Sequence, residues 1–583
     1  MMMESKYSPH SLIAYFSMEI GLDSWIPTYS GGLGVLAGDT LRSAADLAVP
    51  MVGITLVHRA GHFRQILDKD GNQREDPARW RPEEKLEELP NRVKVQIEGR
   101  DVTVRAWRFQ VVGITGYALP VYLLDTDLPE NSHWDRSITD SLYGGDEYYR
   151  LCQEIVLGMG GVAMLDSLGY SEGLHYHMNE GHSALLTLAL LEKRVAGRGL
   201  SDVKSEDIDA VRWQCMFTTH TPVPAGHDKF PTDMVVRTLG HERASALRNI
   251  DCCGPDVLNM TYLGLFFSRY INGVAMRHGE VSRGMFPHYP INAITNGVHS
   301  ATWVSDHMAR VFDERIWGWR TDNNYLRYAL DIPVDVILEA HTLAKQDLIE
   351  EVRRSVGRKL DPSVLTLGIA RRATPYKRLD LIFSRPDNLE RIARTVGPIQ
   401  IIYAGKAHPK DEPGKEMIRK IFHAAKTLDK SVKVVYLENY EMELAKKLCA
   451  GVDLWVNTPL RPREASGTSG MKAAVNGVPS FSVHDGWWVE GHIEGVTGWT
   501  IGSEDAGAPN DSVQDVEDMY FKLARVIMPL FYGSPRAYAR VMRSSIAFNG
   551  SFFNTQRMVA QYLTNAYFPA VKIEPPKSAT APR

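Results

Sequence analysis

The sequence predicts an α/β protein of two doubly wound domains facing a central cleft. Three observations lead there. The 583 residues exceed what one hydrophobic core supports, so two large domains are expected. Short apolar runs alternate with amphipathic helical patterns, most cleanly after residue 360, as in parallel strands joined by right-handed crossovers. Turns rich in glycine, histidine or cations follow those runs, where open α/β sheets gather ligands. The expected division is 1–355, an N-terminal domain with β-hairpin insertions; 356–571, a C-terminal domain with terminal helices; and 572–583, a flexible Pro/Ala-rich tail.

Composition narrows the classes. Apolar residues make up 44% and charged residues 23%, the proportions of an ordinary soluble globular chain. A formal net charge of −4 supplies no bulk attraction to nucleic acid or anionic lipid. The five cysteines (Cys152, Cys215, Cys252, Cys253, Cys449) are odd in number and form no C-x-x-C pair. Buried free thiols and a reducing cytoplasm are therefore expected, rather than disulfides or zinc. No apolar run reaches 18 residues, so no membrane span is expected. Ser11–Ile20 lacks a preceding basic region and carries Glu19, so it reads as a strand rather than a signal peptide.

Taken in order, Ser11–Ser17 and Val49–Val57 read as strands. Between them Ser30-Gly31-Gly32-Leu33-Gly34 opens a helix, a geometry that can set backbone donors beside an anion or merely pack a turn. Val93–Leu124 alternates like hairpins, and Asp146–Leu168 is helical, with close packing expected at Gly158, Gly160 and Gly161. His175 and His177 alternate on a strand that ends in Asn179-Glu180-Gly181-His182. No third ligand set accompanies them, so no metal is expected, whereas His182 occupies a strand-to-helix turn suited to a ligand. Trp213–Thr219 reads as a strand. Leu265–Gly279 reads as a helix whose Asn272-Gly273 is either a kink or a reserved ligand group. Ile291–Ile294 is a strand before another turn.

Asp335–Arg358 is an amphipathic helix leading to the domain junction. Val364–Ala370, Ile399–Tyr403, Val432–Leu437 and Leu454–Val456 read as strands. Lys377–Arg394, Gly414–Ala425 and Glu441–Ala450 read as the helices between them. Arg371-Arg372-Ala373-Thr374-Pro375-Tyr376-Lys377-Arg378 places four cations in eight residues at a strand end, either a solvated face or a phosphate site. A small-residue run, Ala465 to Gly470, precedes Lys472 and a helical segment, Met471–Asn476. That lysine could bind phosphate, form a Schiff base with an aldehyde cofactor, or be solvated. The helical runs Val513–Ile527, Pro535–Ser545 and Gln556–Asn565 are not placed by pattern.

Six of these motifs, in this order, resemble the α-glucan (glycogen, starch, maltodextrin) phosphorylases, in a short bacterial-type form. They are Ser30–Gly34, Asn179–His182, the N-G-V-A segment Asn272–Ala275, Arg371–Arg378, Glu438-Asn439-Tyr440, and Glu464–Lys472 with Asn476-Gly477. The resemblance runs from about Ile13 past Glu490. It implies the GT-B arrangement, two Rossmann-like domains around a central cleft, the first on the glucan side and the second carrying pyridoxal phosphate. It further implies a Schiff base on Lys472. Thr468, Ser469, Arg371 and the backbone of Gly32 would hold the cofactor phosphate, with Tyr440 near its ring. Arg372 and Lys377 would bind inorganic phosphate. His182, Asn272, Tyr376, Glu464, Ser466 and Gly467 would contact the transferred glucosyl unit, with Gly31 and Leu33 lining the substrate site.

The implied reaction is reversible, retaining phosphorolysis of the non-reducing end of an α-1,4-glucan to α-glucose 1-phosphate, with Glu464 binding sugar hydroxyls rather than acting as the acid. Glucan or maltodextrin and phosphate are the expected partners, a homodimer is left open, and a cytoplasmic location is expected. The chain begins almost at its first strand, so the N-terminal control segment of animal and plant members is expected to be missing. Ala373-Thr374-Pro375 and Glu180-Gly181 depart from those members' residues, which bears on donor and chain-length preference. Two rival readings stand beside this one: a nucleotide-sugar-dependent GT-B glucosyltransferase of the glycogen or starch synthase type, and an inactive glucan-binding relative. A dinucleotide-dependent dehydrogenase is excluded for want of G-x-G-x-x-G with an acidic partner.

Overall fold

A computed structural model describes residues 11–223, 227–250, 256–428, 431–505 and 507–568. In chain order the first half forms β1 (Leu12–Phe16), β2 (Met51–Leu56), β3 (Arg64–Leu67), β4 (Gln73–Asp76), β5 (Glu87–Ile97), β6 (Arg100–Val112) and β7 (Ala118–Asp125). It continues with β8 (Leu174–Asn179), β9 (Cys215–Thr218), β10 (Lys229–Pro231), β11 (Val257–Asn259), β12 (Tyr270–Gly273) and β13 (Ile291–Ala293). Nine of these make one sheet in the order β13-β12-β9-β8-β1-β2-β7-β6-β5. It is parallel from β13 to β7, and β6 and β5 add an antiparallel edge. Two antiparallel two-stranded sheets stand apart from it: the hairpin β3–β4, and the pair β10–β11, whose strands are separated by two helices.

The second half forms β14 (Leu365–Ala370), β15 (Ile399–Ala404), β16 (Val432–Leu437), β17 (Leu454–Asn457), β18 (Ser480–Val483) and β19 (Gly498–Ile501). These pair in parallel in the order β16-β15-β14-β17-β18-β19. The protein is thus a mixed α/β structure with two large, mostly parallel sheets. Every residue of β2, β14 and β15 is buried, as expected of strands covered on both faces.

The terminal helices divide between the two sheets. Met519, Tyr538 and Val541 pack in one cluster with Leu365 and Val456 of the second sheet. The last helix, Thr555–Tyr562, returns to the first sheet, where Met558, Val559 and Tyr562 pack with Ile13, Tyr15 and Leu41.

Three local readings change. Asn272-Gly273 lies not in a helix but at the end of β12, between β9 and β13; Leu265–Gly279 divides into the end of a helix at Phe266, this strand, and a helix from Met276. Sheet pairing overrides the apolar spacing there. Lys377–Arg394 is not one helix. Arg378 adopts a left-handed conformation (φ 45°), held by bonds to Thr458 O, Pro459 O and Asp515, and the regular helix begins only at Pro386. Trp213 and Gln214 close a helix before β9 rather than opening the strand.

The segment Asp146–Leu168 is helical with a π turn at Val156–Gly160. Gly158 packs so closely there that an added Cβ would lie 2.7 Å from Leu186 N. Cys152, Cys215 and Cys449 are buried free thiols. Cys252, Cys253 and the tail 572–583 lie outside the described residues. No helix among the described residues is long and apolar enough to cross a membrane.

Candidate active site

The carboxyl ends of the second sheet's strands converge on one place. In-register pairing of Ala370 with Ala404 sets Arg371 beside Gly405. Turns after β16 and β18 deliver Tyr440 and Asp485. The helix Thr468–Val475 begins inside the small-residue run rather than after it, and Gly467 precedes it at φ 88°. That conformation suits glycine and turns the chain back over Glu464.

Lys472 is not solvated. It is 6% exposed, and its Nζ lies 3.8 Å from the centre of the Trp303 ring. Burial lowers its pKa, against the opposing effects of Asp39 and Cys449. Trp303 is itself fixed, its Nε1 donating to Asp39 Oδ2 at 2.7 Å. Asp39 belongs to the helix Gly32–Asp46 that follows the glycine loop, so the Lys472–Trp303 contact joins the two halves of the chain beside that helix.

The four cations of the Arg371–Arg378 turn separate. Arg371 is buried and pairs with Glu464, and Lys377 Nζ lies 3.1 Å from Glu464 Oε2. Arg371 Nε and Nη1 are buried without a hydrogen-bond partner. Arg372 is exposed and acts electrostatically on His62 and His408, and Arg378 turns away to the structural bonds described above. Burial favours the neutral form of Glu464, but Arg371 and Lys377 overcome it and hold the carboxyl at about 2. Its backbone N–H donates to Asp485 Oδ2 at 2.9 Å, and burial, with the Glu464 charge, pushes Asp485 up to about 7. Ser466 Oγ is buried and unpartnered, and Ser469 Oγ accepts from Trp455 Nε1 at 3.2 Å.

The first half supplies the glycine loop. Glu19 Oε2 accepts from Ser30 N at 2.6 Å and Gly31 N at 3.2 Å. A Cβ added at Gly31 or Gly32 would meet nothing within 4 Å, so this helix N-terminus is open. Tyr29 OH accepts from Met442 N at 3.1 Å, laying the loop against the Tyr440 turn. Tyr440 is partly buried, within electrostatic reach of Arg371 and Tyr29.

Other sequence-derived residues stand further back. His182 Nε2 lies 3.3 Å from Asp228 Oδ2, and burial pushes its pKa down to about 4. It reaches the loop through Tyr143, whose ring lies 5.7 Å away and whose OH donates to Glu19 Oε1 at 3.0 Å. Asn272 is committed within the fold: its Oδ1 accepts from Thr218 Oγ1 at 3.0 Å and its Nδ2 donates to Tyr562 OH at 2.9 Å. Tyr376 lies under Lys377, 4.9 Å from Nζ to ring centre. Thr468 opens its helix and Leu33 follows the open glycines.

Glu19, Asp39, Asp228, Trp303 and Asp485 were not marked as site residues from the sequence. Glu19 and Asp485 do follow strands, a signal that could have found them. Asp39, Asp228 and Trp303 carry no local motif and join the site by tertiary contact alone.

Two mostly parallel sheets, with an open glycine loop in one half and unpaired guanidinium nitrogens and a buried amine in the other, define an α/β protein with a cationic cluster at its strand ends. The chain belongs to the carbohydrate phosphorylase family. Residues 227–497 match the family model described as "Carbohydrate phosphorylase". The chain is 38% identical to maltodextrin phosphorylase of Thermococcus litoralis, over 96% of its own length and 71% of that protein's. It is 36% identical to glycogen phosphorylase of Mycobacterium tuberculosis over the same shares, and 34% identical to that of Aquifex aeolicus over 96% and 87%.

Members of this family use pyridoxal phosphate. The residues present fit that group. A buried amine of lowered basicity suits an aldehyde, and two orphaned guanidinium nitrogens and an open glycine loop each suit a phosphate.

Proposed function

We propose that the chain is an α-glucan phosphorylase, transferring the non-reducing-end glucose of an α-1,4-glucan to inorganic phosphate, reversibly and with retention, to give α-glucose 1-phosphate. The observation that carries this reading is Arg371, buried with two unpaired guanidinium nitrogens in the same strand-end cluster as Lys377, in a carbohydrate phosphorylase. The maltodextrin and glycogen phosphorylases among its relatives support a glucan substrate. In this reading the two sheets belong to a GT-B pair of domains, about 1–355 and 356–571, with the last helix crossing back to the first.

Lys472 would carry the cofactor; Arg371, Thr468, Ser469 and the Gly32 amide would hold its phosphate, and Tyr440 would flank its ring. When bound, that group supplies a phosphate monoester whose second ionisation, near pH 6, permits proton exchange at neutrality. Lys377 and Arg372 would hold the substrate phosphate, offsetting repulsion between two anions brought close together. Glu464 stays ionised at pH 7, so it accepts hydrogen bonds from sugar hydroxyls and has no proton to give. The proton for the glycosidic oxygen then comes from the substrate phosphate, and no paired catalytic carboxylates are required. His182 is neutral at pH 7 and offers an uncharged imidazole toward the glucosyl unit. Tyr376, Ser466, Gly467, Gly31 and Leu33 would complete the sugar site, with Asn272 behind it, held by Thr218 and Tyr562.

A nucleotide-sugar transferase would share the glycine loop and cationic turn, but has no use for a desolvated lysine at 472. Borohydride reduction of active, cofactor-replete protein, followed by peptide mapping, is expected to place a pyridoxyl group on Lys472. Phosphate-dependent release of glucose 1-phosphate from maltodextrin is expected in the same preparation. An unmodified Lys472 in active protein overturns the assignment.

A further inference from the structure

A cavity of about 620 Å³ lies outside this site, in the first half of the chain. It is built at the carboxyl ends of two neighbouring parallel strands inside the first sheet, β2 and β7, the end of a sheet where ligands gather. Arg59 follows β2, and Asp127, Arg136 and Asp140 follow β7. The other wall, Arg79-Trp80-Arg81, lies at the far end of the segment that leaves β2. Backbone bonds close that segment on itself: Trp80 N donates to Arg59 O at 3.1 Å and Ala78 N to Ala60 O at 2.8 Å.

Four arginines and two aspartates line the cavity, and the commitments of the arginines differ. Arg59 is fully engaged, at 2.7 Å from both Asp125 and Glu83. It forms part of the frame. Arg136 gives its Nε to Asp127 at 2.7 Å, which leaves its two terminal nitrogens free to donate. Arg79 has no hydrogen bond or ion pair among the described residues, and Arg81 comes only within 3.7 Å of Glu84. Trp80 is pinned by donation from its Nε1 to His58 O at 2.9 Å, so its ring is held in place as part of the wall.

We infer that this cavity binds a small polyanion, a molecule carrying two or more phosphate or carboxylate groups, through the uncommitted donors of Arg79, Arg81 and Arg136. Guanidinium forks match both oxyanions in bidentate fashion, and the volume falls within the range of small-molecule sites. The position gives such a ligand leverage. The segment whose ends it touches carries the β3–β4 hairpin, and that hairpin is bonded to the second half of the chain. Gln65 Nε2 donates to Gly405 O at 2.9 Å, and Gln73 Nε2 donates to Ala407 O at 2.8 Å. The occupant therefore sits at the root of an arm that spans both sheets.

Calorimetric titration of the full-length protein at low ionic strength tests this, with inorganic pyrophosphate as the phosphate probe and citrate as the carboxylate probe. Wild-type protein is expected to bind at least one of them saturably. Arg79→Ala/Arg81→Ala should weaken that binding at least tenfold with an unchanged circular dichroism spectrum, and Arg136→Gln should weaken it independently. Lys377→Ala protein should retain it, which separates this cavity from the Arg371–Lys377 cluster and makes the result independent of the proposed activity. Equal affinity in wild type and the double variant overturns the inference. So does the absence of saturable binding of both probes, or binding that disappears with Lys377→Ala.

Discussion

Replacing Glu464 with glutamine removes the one charge that Arg371 and Lys377 share. The side chain is 11% exposed, and its pKa is lowered from 4.5 to about 2. Each tenfold change in an ionisation equilibrium corresponds to about 1.4 kcal/mol, so the ionised side chain favours the folded state by about 3 kcal/mol at pH 7. The folded pKa lies below the unfolded one. The contribution is therefore fully present above about pH 4.5 and is lost as pH falls toward 2. At pH 3 roughly 1 kcal/mol of it remains. Glutamine keeps the shape and discards the charge, leaving two cations near one another without their partner. Urea unfolding of the cofactor-free protein, followed by tryptophan fluorescence at pH 7 and at pH 3, measures the gap. The expected result is a large shift to lower urea for E464Q at pH 7 that shrinks by more than half at pH 3. A gap of the same size at both pH values would refute the electrostatic account and leave packing as the cause.

Other tests follow from single contacts. His182 has its pKa lowered by burial to about 4, so the unfolded chain takes up its proton first. Wild type should lose stability as pH falls from 6.5 to 4, and His182→Gln should flatten that part of a stability-against-pH curve. Gly34→Ala would place a Cβ 2.6 Å from Glu19 Oε2 and 2.7 Å from Tyr29 Cβ, a clash costing about 1–3 kcal/mol. It should lower the melting temperature and cut phosphorolysis more than tenfold, and wild-type values in both assays would show that the loop has slack. Asp39→Asn weakens acceptance of the Trp303 and His299 donors and should cost about 1–3 kcal/mol by chemical denaturation. It should also slow cofactor capture at Lys472, and an unchanged rate would mean that Trp303 does not position the amine.

Much of the fold could be read from apolar periodicity, because strands buried on both faces must be short, continuous and apolar. β14, β15 and β16 sit where their apolar runs placed them. The pattern misled where a side chain's partner is remote. Asn272-Gly273 reads as helix until β9 and β13 flank it, and Arg378 reads as helical until Asp515, far along the chain, pulls it into a left-handed turn. The candidate site divides in the same way. Its glycine turns and cations carry local signals, since backbone freedom and formal charge belong to residue type.

The sequence alone determined the alternation of strands and helices, the motifs at the strand ends, and the family they resemble, because each depends on residues close together in the chain. Only the tertiary structure decided which of four neighbouring cations faces Glu464, that Lys472 is desolvated over Trp303, and that the last helix returns to the first sheet. The physical reason is that burial and charge pairing depend on distance in space. For Lys472, Trp303 and Asp39, that distance is set by packing between the two halves of the chain.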